Sequence, residues 1–489
     1  MLFNSHIFML LFLPLLLAGW YFLNWKKKFQ LAQGYLIGMS LWFYAYANLQ
    51  YLWLLLFSCL IGWLLSCLPE KISSEKGKKV LTGVGCVFHL GLLGYFKYSN
   101  FFLENLNTVF HTDFPMLQIL LPVGISFYTF QQLAYLIDRC RGDAPRDSFF
   151  DYLTFMVYFP QLLQGPILLR SEFMEQLKEP ERRRFHAERF SEGIQFFVFG
   201  LAKKVLLADT LAKAVNYGYS NVSMLDSISA LLLAAGYLTE LYFDFSGYCD
   251  MAVGLGKMIG LEVAENFDAP FHSASVKEFW RRWHMTLGRF FTRYVYIPLG
   301  GNRRGKMRTL CNVMIVMLLS GLWHGAAWTF VLWGFLHGVG MIWDNLEHPH
   351  LPKKWMRQAA TFAYVCMTFV FFRAESIAQG VDVLKSIVSL KWNGFVFQMA
   401  SALDLTEFYM ITKALSMKLP GLLSWFWLGI FVVLIAICFR VLSGKKVSGV
   451  VALQKQKGYG RLYPVLLAVL FTWSMISMTG VSEYLYFSF

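Results

Sequence analysis

The chain has 489 residues, is 57% hydrophobic and 18% aromatic, and carries only 15% charged residues, against about 25% in a soluble domain. Its repeated apolar runs describe one polytopic membrane body covering residues 1–489, and they exclude a nucleic-acid-binding protein, a disulfide scaffold and a disordered chain. The formal charge of +14 fits the positive-inside bias of membrane proteins.

The first apolar run, Ile7 to Leu23, is followed by Lys26, Lys27 and Lys28. A secretory signal has the reverse order, so this run is a first transmembrane helix with the N-terminus outside. Further spans are expected near 31–47, 51–67, 80–96 and 117–137. The loops between them alternate as that orientation requires. Lys71, Lys76, Lys78 and Lys79 lie inside, Asn100 to Met116 lacks Lys and Arg, and Arg139, Arg141 and Arg146 lie inside again. Tyr152 to Ile167 contains Pro160, Gln161, Gln164, Gly165 and Pro166 and reads as a broken or re-entrant segment. Such backbone survives at membrane depth only inside protein or beside a water-filled cavity. Spans near 190–207 and 226–245 follow. The basic stretch Val276 to Arg308 belongs to the cytosolic side, and apolar runs come next at 309–325, 326–343, 358–372, 424–439 and 462–478. That makes about twelve crossings or near-crossings. The eight cysteines are isolated in the sequence, without a CxxC pair or zinc spacing, so neither disulfides nor a cysteine metal site is expected.

Ionisable residues inside such a chain are costly and therefore informative. Lys277 to Arg293 reads as one amphipathic helix. On a helical wheel Val276, Phe279, Trp280, Trp283, Leu287, Phe290 and Phe291 share an apolar side, with Lys277, Arg281 and His284 on a second and Arg282, Arg289 and Arg293 on a third. Either this helix is anchored by anionic lipid head groups, or His284 faces a polar cavity and the arginines meet a phosphorylated substrate. His324 lies far along an apolar run between Gly321 and Gly325. It is either a histidine bonded to a neighbouring helix or a general base for a hydroxyl. Asp244 and Asp250 lie between apolar stretches. Asp250 suits a helix cap after Gly247, and Asp244 either positions a histidine or is structural. His337 falls on a different helical face from His324, and His348 and His350 sit in a loop pattern. A metal site of His284 and His324 lacks an evident third ligand.

The stretches FWRRWHMTLGRFFTRYVYIPLGGNRRG (279–305) and SGLWHGAAWTFVLWGFLHG (320–338) resemble the membrane-bound O-acyltransferase family. LPVGISFYTFQQLAYLIDRCRGD (121–143), YFPQLLQGPI (158–167), LYFDFSGYCDMAVGLG (241–256) and FFRAES (371–376) agree. The turn PLGGNR and the run GISFYTFQ are similar to the branch that acetylates alginate and other bacterial polysaccharides. The branch that exports D-alanine to teichoic acid fits less well. Many relatives carry an Asp where this chain has Arg293, so no carboxylate role transfers to that position.

The resemblance implies an all-α membrane fold: a ring of about 11–12 helices with re-entrant and interfacial pieces, an outer funnel and a cytosolic tunnel. It places the invariant histidine at His324 and the second active-site polar residue at His284. Arg281, Arg282, Asn302, Arg303, Arg304 and Lys306 become candidates for the CoA phosphates, and Trp323, Asp244 and Gln164 for active-site support. The implied donor is acetyl-CoA, with no permanently bound cofactor. The implied acceptor is an extracytoplasmic polysaccharide or a carrier, reached through a partner acetyltransferase outside a bacterial cytoplasmic membrane. His324 would take the hydroxyl proton, and His284 or a backbone N–H would stabilise the oxyanion. Two other readings stay open: D-alanyl transfer from a carrier protein, and a transporter whose histidines relay protons.

Overall fold

The computed structural model describes residues 1–47, 49–346, 353–439, 446–458, 460, 462–478 and 484–485. His348 and His350 lie outside the described residues. Among the described residues every regular element is a helix, and the protein is an all-α polytopic membrane protein. Among the described residues six helices are long and apolar enough to cross a membrane: Phe8–Trp25, Leu49–Glu70, Glu75–Phe110, Ser227–Ile259, Lys306–His324 and Pro420–Ile437. Leu462–Ser477 is a shorter apolar helix. Many large apolar side chains along these helices point outward, Trp53, Val87 and Ile476 among them, as expected where lipid rather than water is the solvent.

The chain divides into two compact units. The first comprises Met1–Val198, Tyr248–Glu265 and Thr286–Pro298. Its core is aromatic. Phe3 stacks on Tyr248 at 4.7 Å, and Phe12 and Phe43 lie 5.5 and 5.4 Å from Phe159. These rings bury the segment read as broken. Helix Phe149–Val157 stops at Tyr158, a short turn Phe159–Leu162 follows, and Phe159 to Gln164 are sealed from solvent. Gly124 lets this turn approach closely. It adopts φ +77°, and a Cβ there would collide with the Leu162 carbonyl.

The expected span 117–137 is corrected. Helix begins only at Ile125 and runs to Arg141. Pro115, Pro122 and Gly124 keep the preceding stretch non-helical. Asn100 holds it instead, donating Nδ2–H to the Leu117 carbonyl at 2.9 Å and accepting from the Leu117 N–H at 2.8 Å. Arg293 also belongs to this unit and bonds Asp138 and Asp143, both at 3.0 Å. Tyr294 donates to the other Asp138 oxygen at 2.9 Å. The cation at this position therefore has a local reason: two carboxylates face it.

The second unit comprises Phe199–Gly247, Asn266–Met285 and Leu299–Phe489. Its centre is the helical hairpin Lys306–His324 and Trp328–Leu346. Gly321 and Gly334 face each other across it, and a Cβ on either would strike a carbonyl of the opposite helix. Small residues at such a seam let two backbones pack closely without a hydrophobic driving force. The glycine beside His324 thus serves helix packing. The cap proposed for Asp250 is also corrected, because helix Ser227–Ile259 runs unbroken through Gly247. Gly247 lacks a side chain because the Gly200 carbonyl would lie 2.7 Å from a Cβ there.

Candidate active site

His324 is the last residue of helix Lys306–His324, where Gly325 turns to extended backbone. The ring is buried in an aromatic box, with Trp323 at 4.9 Å, Trp333 at 5.2 Å edge-on and Phe372 at 5.2 Å. The His284 ring completes the set at 6.4 Å. The two imidazoles therefore line the same buried region.

His284 reaches this position by a break that helical periodicity cannot show. Helix Val276–Arg282 ends, Trp283 is extended, and His284 adopts the left-handed φ of +46° before Met285–Phe291 begins. The single amphipathic helix expected over 277–293 is therefore two short helices. Its wheel fails beyond Arg282, and His284 turns inward to 1% exposure instead of sharing a face with Lys277 and Arg281. A left-handed non-glycine residue costs about 1–3 kcal/mol and persists only when its surroundings impose it. Asn266 imposes it here. Its backbone carbonyl accepts the Met285 N–H at 3.0 Å, while Oδ1 lies 3.4 Å from His284 Nδ1. The Asp268 N–H donates to the Arg282 carbonyl at 2.9 Å and closes the clasp. A carbonyl oxygen accepts and cannot donate, so Nδ1 carries the proton. Burial pushes the imidazole down to about 3, which keeps it neutral.

A third histidine was not expected in this region. His337 is sealed on Trp328–Leu346, with its ring 4.9 Å from Trp333. The Trp280 indole N–H donates to its Nδ1 at 3.2 Å. Its Nε2 faces Thr368 Oγ1 at 2.9 Å, and that hydroxyl donates onward to the Val365 carbonyl. Nε2–H is therefore the donor to Thr368, and His337 is a satisfied wall residue rather than an acid or base.

The other candidates separate. Asp244 does not orient a histidine through any contact described. Its Oδ1 pairs with Lys204 Nζ at 2.6 Å, and its Oδ2 accepts the Leu485 N–H at 3.0 Å. Asp209 holds the same ammonium at 2.9 Å. Arg282 pairs with Glu278 at 2.8 Å. Arg281, Asn302, Arg303, Arg304 and Lys306 are exposed. Asn302, Arg303 and Arg304 sit on the turn before helix Lys306–His324, and Lys306 opens the helix; Asn312 holds the turn by donating to the Gly301 carbonyl at 2.9 Å. Gln164 lies in the first unit, and its buried amide has no hydrogen-bond partner among the described residues. Among the described residues no group of three or more His, Cys, Asp or Glu side chains is placed to hold a metal ion. Asn266 and Trp333 are the residues that sequence reasoning missed.

A polytopic helical protein that closes two histidines in an aromatic box on a helical hairpin has the makings of a membrane-embedded transferase. The family model for the membrane-bound O-acyltransferase family matches residues 145–379. A peptidoglycan O-acetyltransferase of Helicobacter pylori is 35% identical over 423 residues, 80% of each chain. A probable alginate O-acetylase of Azotobacter vinelandii is 39% identical over 389 residues, 77% of this chain and 76% of the relative. A teichoic acid D-alanyltransferase of Streptococcus thermophilus is 28% identical over 253 residues, 49% of this chain. The chain belongs to the membrane-bound O-acyltransferase family and is an acyltransferase.

Proposed function

We propose that the protein takes an acetyl group from cytosolic acetyl-CoA and delivers it to O-acetylation of an extracytoplasmic polysaccharide, directly or through an outer partner acetyltransferase. In this reading it lies in a bacterial cytoplasmic membrane with its N-terminus outside. The observation that carries the reading is the pair of buried imidazoles at 6.4 Å inside an aromatic box. Relatives named for O-acetylation support it, at 35–39% identity over most of the chain. D-alanyl transfer is disfavoured because relatives named for it align over only about half of the chain, at 28% identity.

His324 accepts the proton of the acceptor hydroxyl as its oxygen attacks the thioester carbonyl. The tetrahedral intermediate then collapses, the C–S bond breaks, and the departing CoA sulfur takes the proton back from His324. The ring walls exclude water, which would otherwise hydrolyse the thioester. Arg303, Arg304 and Lys306 attract the CoA phosphates at the surface.

The test is transfer of labelled acetyl from acetyl-CoA to a hydroxyl acceptor by protein purified in detergent. Transfer without any ion gradient supports the enzyme and excludes the transporter. Activity only with a D-alanyl carrier protein would replace acetyl-CoA as donor.

A further inference from the structure

Attack on a thioester turns its carbonyl oxygen into an oxyanion, and a buried site must supply an N–H or O–H aimed at it. The candidates around His324 can be taken in turn. His284 commits Nδ1–H to Asn266, which leaves Nε2 as an acceptor. His337 commits Nε2–H to Thr368, and Trp280 commits its indole N–H to His337. Trp333 differs. It is 1% exposed, its ring stands edge-on to His324 at 5.2 Å, and its Nε1–H has no hydrogen-bond partner among the described residues.

An indole N–H can only donate, and leaving it buried and unpaired is costly. A phenylalanine would fill the same wall without that cost. Trp280 shows the usual solution in this same box, a nearby acceptor for its N–H. Phe369 and Phe372 pack on Trp333 at 5.4 and 5.0 Å and offer none.

We propose that Trp333 Nε1–H is the oxyanion donor of the acyl-transfer reaction, a catalytic residue paired with His324. The proposal rests on the acetyl-transfer reading above. When the hydroxyl oxygen bonds to the carbonyl carbon, the C=O electron pair moves onto oxygen and Trp333 donates to it. His324 holds the hydroxyl proton until the sulfur leaves. The N–H gains its partner only as negative charge develops, so it stabilises the transition state more than the bound substrate.

The experiment is Trp333→Phe, which removes the N–H and keeps a ring. Wild-type transfer from acetyl-CoA is measured first, and its absence would defeat the acetyl-transfer reading itself. Against an active wild type, kcat should fall about 10²–10³-fold, as for loss of one oxyanion donor, with the KM for acetyl-CoA unchanged. The thermal midpoint should hold or rise, because an unpaired buried donor has gone. A trifluoromethyl-ketone analogue of acetyl-CoA, which presents a tetrahedral oxygen, should lose affinity by a factor similar to kcat, while CoA binding is unaltered. A kcat within about threefold of wild type would overturn the proposal. So would activity and thermal midpoint falling together, or an analogue affinity that does not change.

Discussion

Lys204 and His324 are both buried in the second unit, and their surroundings differ in kind. Around Lys204 the neighbours are charged groups that hold one another. Asp244 and Asp209 hold the ammonium at 2.6 and 2.9 Å, the Tyr484 ring lies under it at 4.7 Å, and the Leu485 N–H occupies the far oxygen of Asp244. Such a cluster spends its polar capacity on itself and so fixes structure. Around His324 the neighbours are rings, with one neutral histidine across a 6.4 Å gap. Such rings exclude water and present no counter-charge to the imidazole. Both are buried ionisable side chains, which are rare unless paired or functional. Only the composition of the shell separates a clamp from a reaction centre.

The sharpest way to break that comparison is His324→Ala. If the box is the reaction centre, acetyl transfer should fall by about 10²–10⁴-fold, the usual range for a general base, with insertion and thermal midpoint close to wild type. Labelled transfer and a melting curve on the same detergent preparation check both halves. A melting point lowered in step with activity would place His324 with Lys204 instead.

The converse change is Lys204→Met. It strands Asp244 and Asp209 without their cation, and removing one partner of a buried pair costs about 3–5 kcal/mol. The expected result is a large loss of folded protein in membranes, with the surviving fraction nearly normal in turnover per molecule. The double variant Lys204→Met with Asp244→Leu should recover part of the stability, because it removes the ammonium and its fully buried partner and leaves Asp209, which is partly exposed. Quantitative blotting beside specific activity distinguishes this from a catalytic defect.

A smaller effect comes from pH. The imidazole of His284 sits at about 3 when folded and near 6.5 when unfolded. Between those values the unfolded chain binds a proton that the folded one does not. Stability therefore falls as pH drops below 6.5, by about 1.4 kcal/mol per unit at the steepest. Taking the protein from pH 7 to 5 should lower its thermal midpoint, and His284→Gln should lose less over the same range. An equal loss in both would show that another group sets the acid sensitivity.

The apolar body was legible because hydropathy is a local property. Helices occur at Phe29–Ala47, Leu52–Cys67, Lys354–Arg373 and Pro420–Ile437, close to the ranges expected from the runs alone. The late start at Ile125 was partly legible, since Pro122 and Gly124 stand in plain view. The break at His284 was not. No proline or glycine marks it, and the left-handed turn is imposed by Asn266, eighteen residues upstream. Asp244 was ambiguous because its partner Lys204 lies 40 residues away. Trp333 carries no mark in the sequence, and its distinction is the lack of an acceptor, which only packing decides.

The basic turn gives the smallest expected effect and the last contrast. Arg303, Arg304 and Lys306 are exposed, so neither the clamp rule nor the box rule governs them. Replacing all three by Ala removes surface charge and should shift stability within about 0.5 kcal/mol per site. If they meet the CoA phosphates, the KM for acetyl-CoA rises several-fold while kcat holds. The wild-type advantage should also shrink as salt is raised, because exposed charges are screened over about 8–10 Å near physiological ionic strength. If they only hold lipid head groups, KM in detergent stays put and membrane insertion carries the change. Kinetics at two salt concentrations therefore separate a substrate role from anchoring, a choice that the net charge alone leaves undecided.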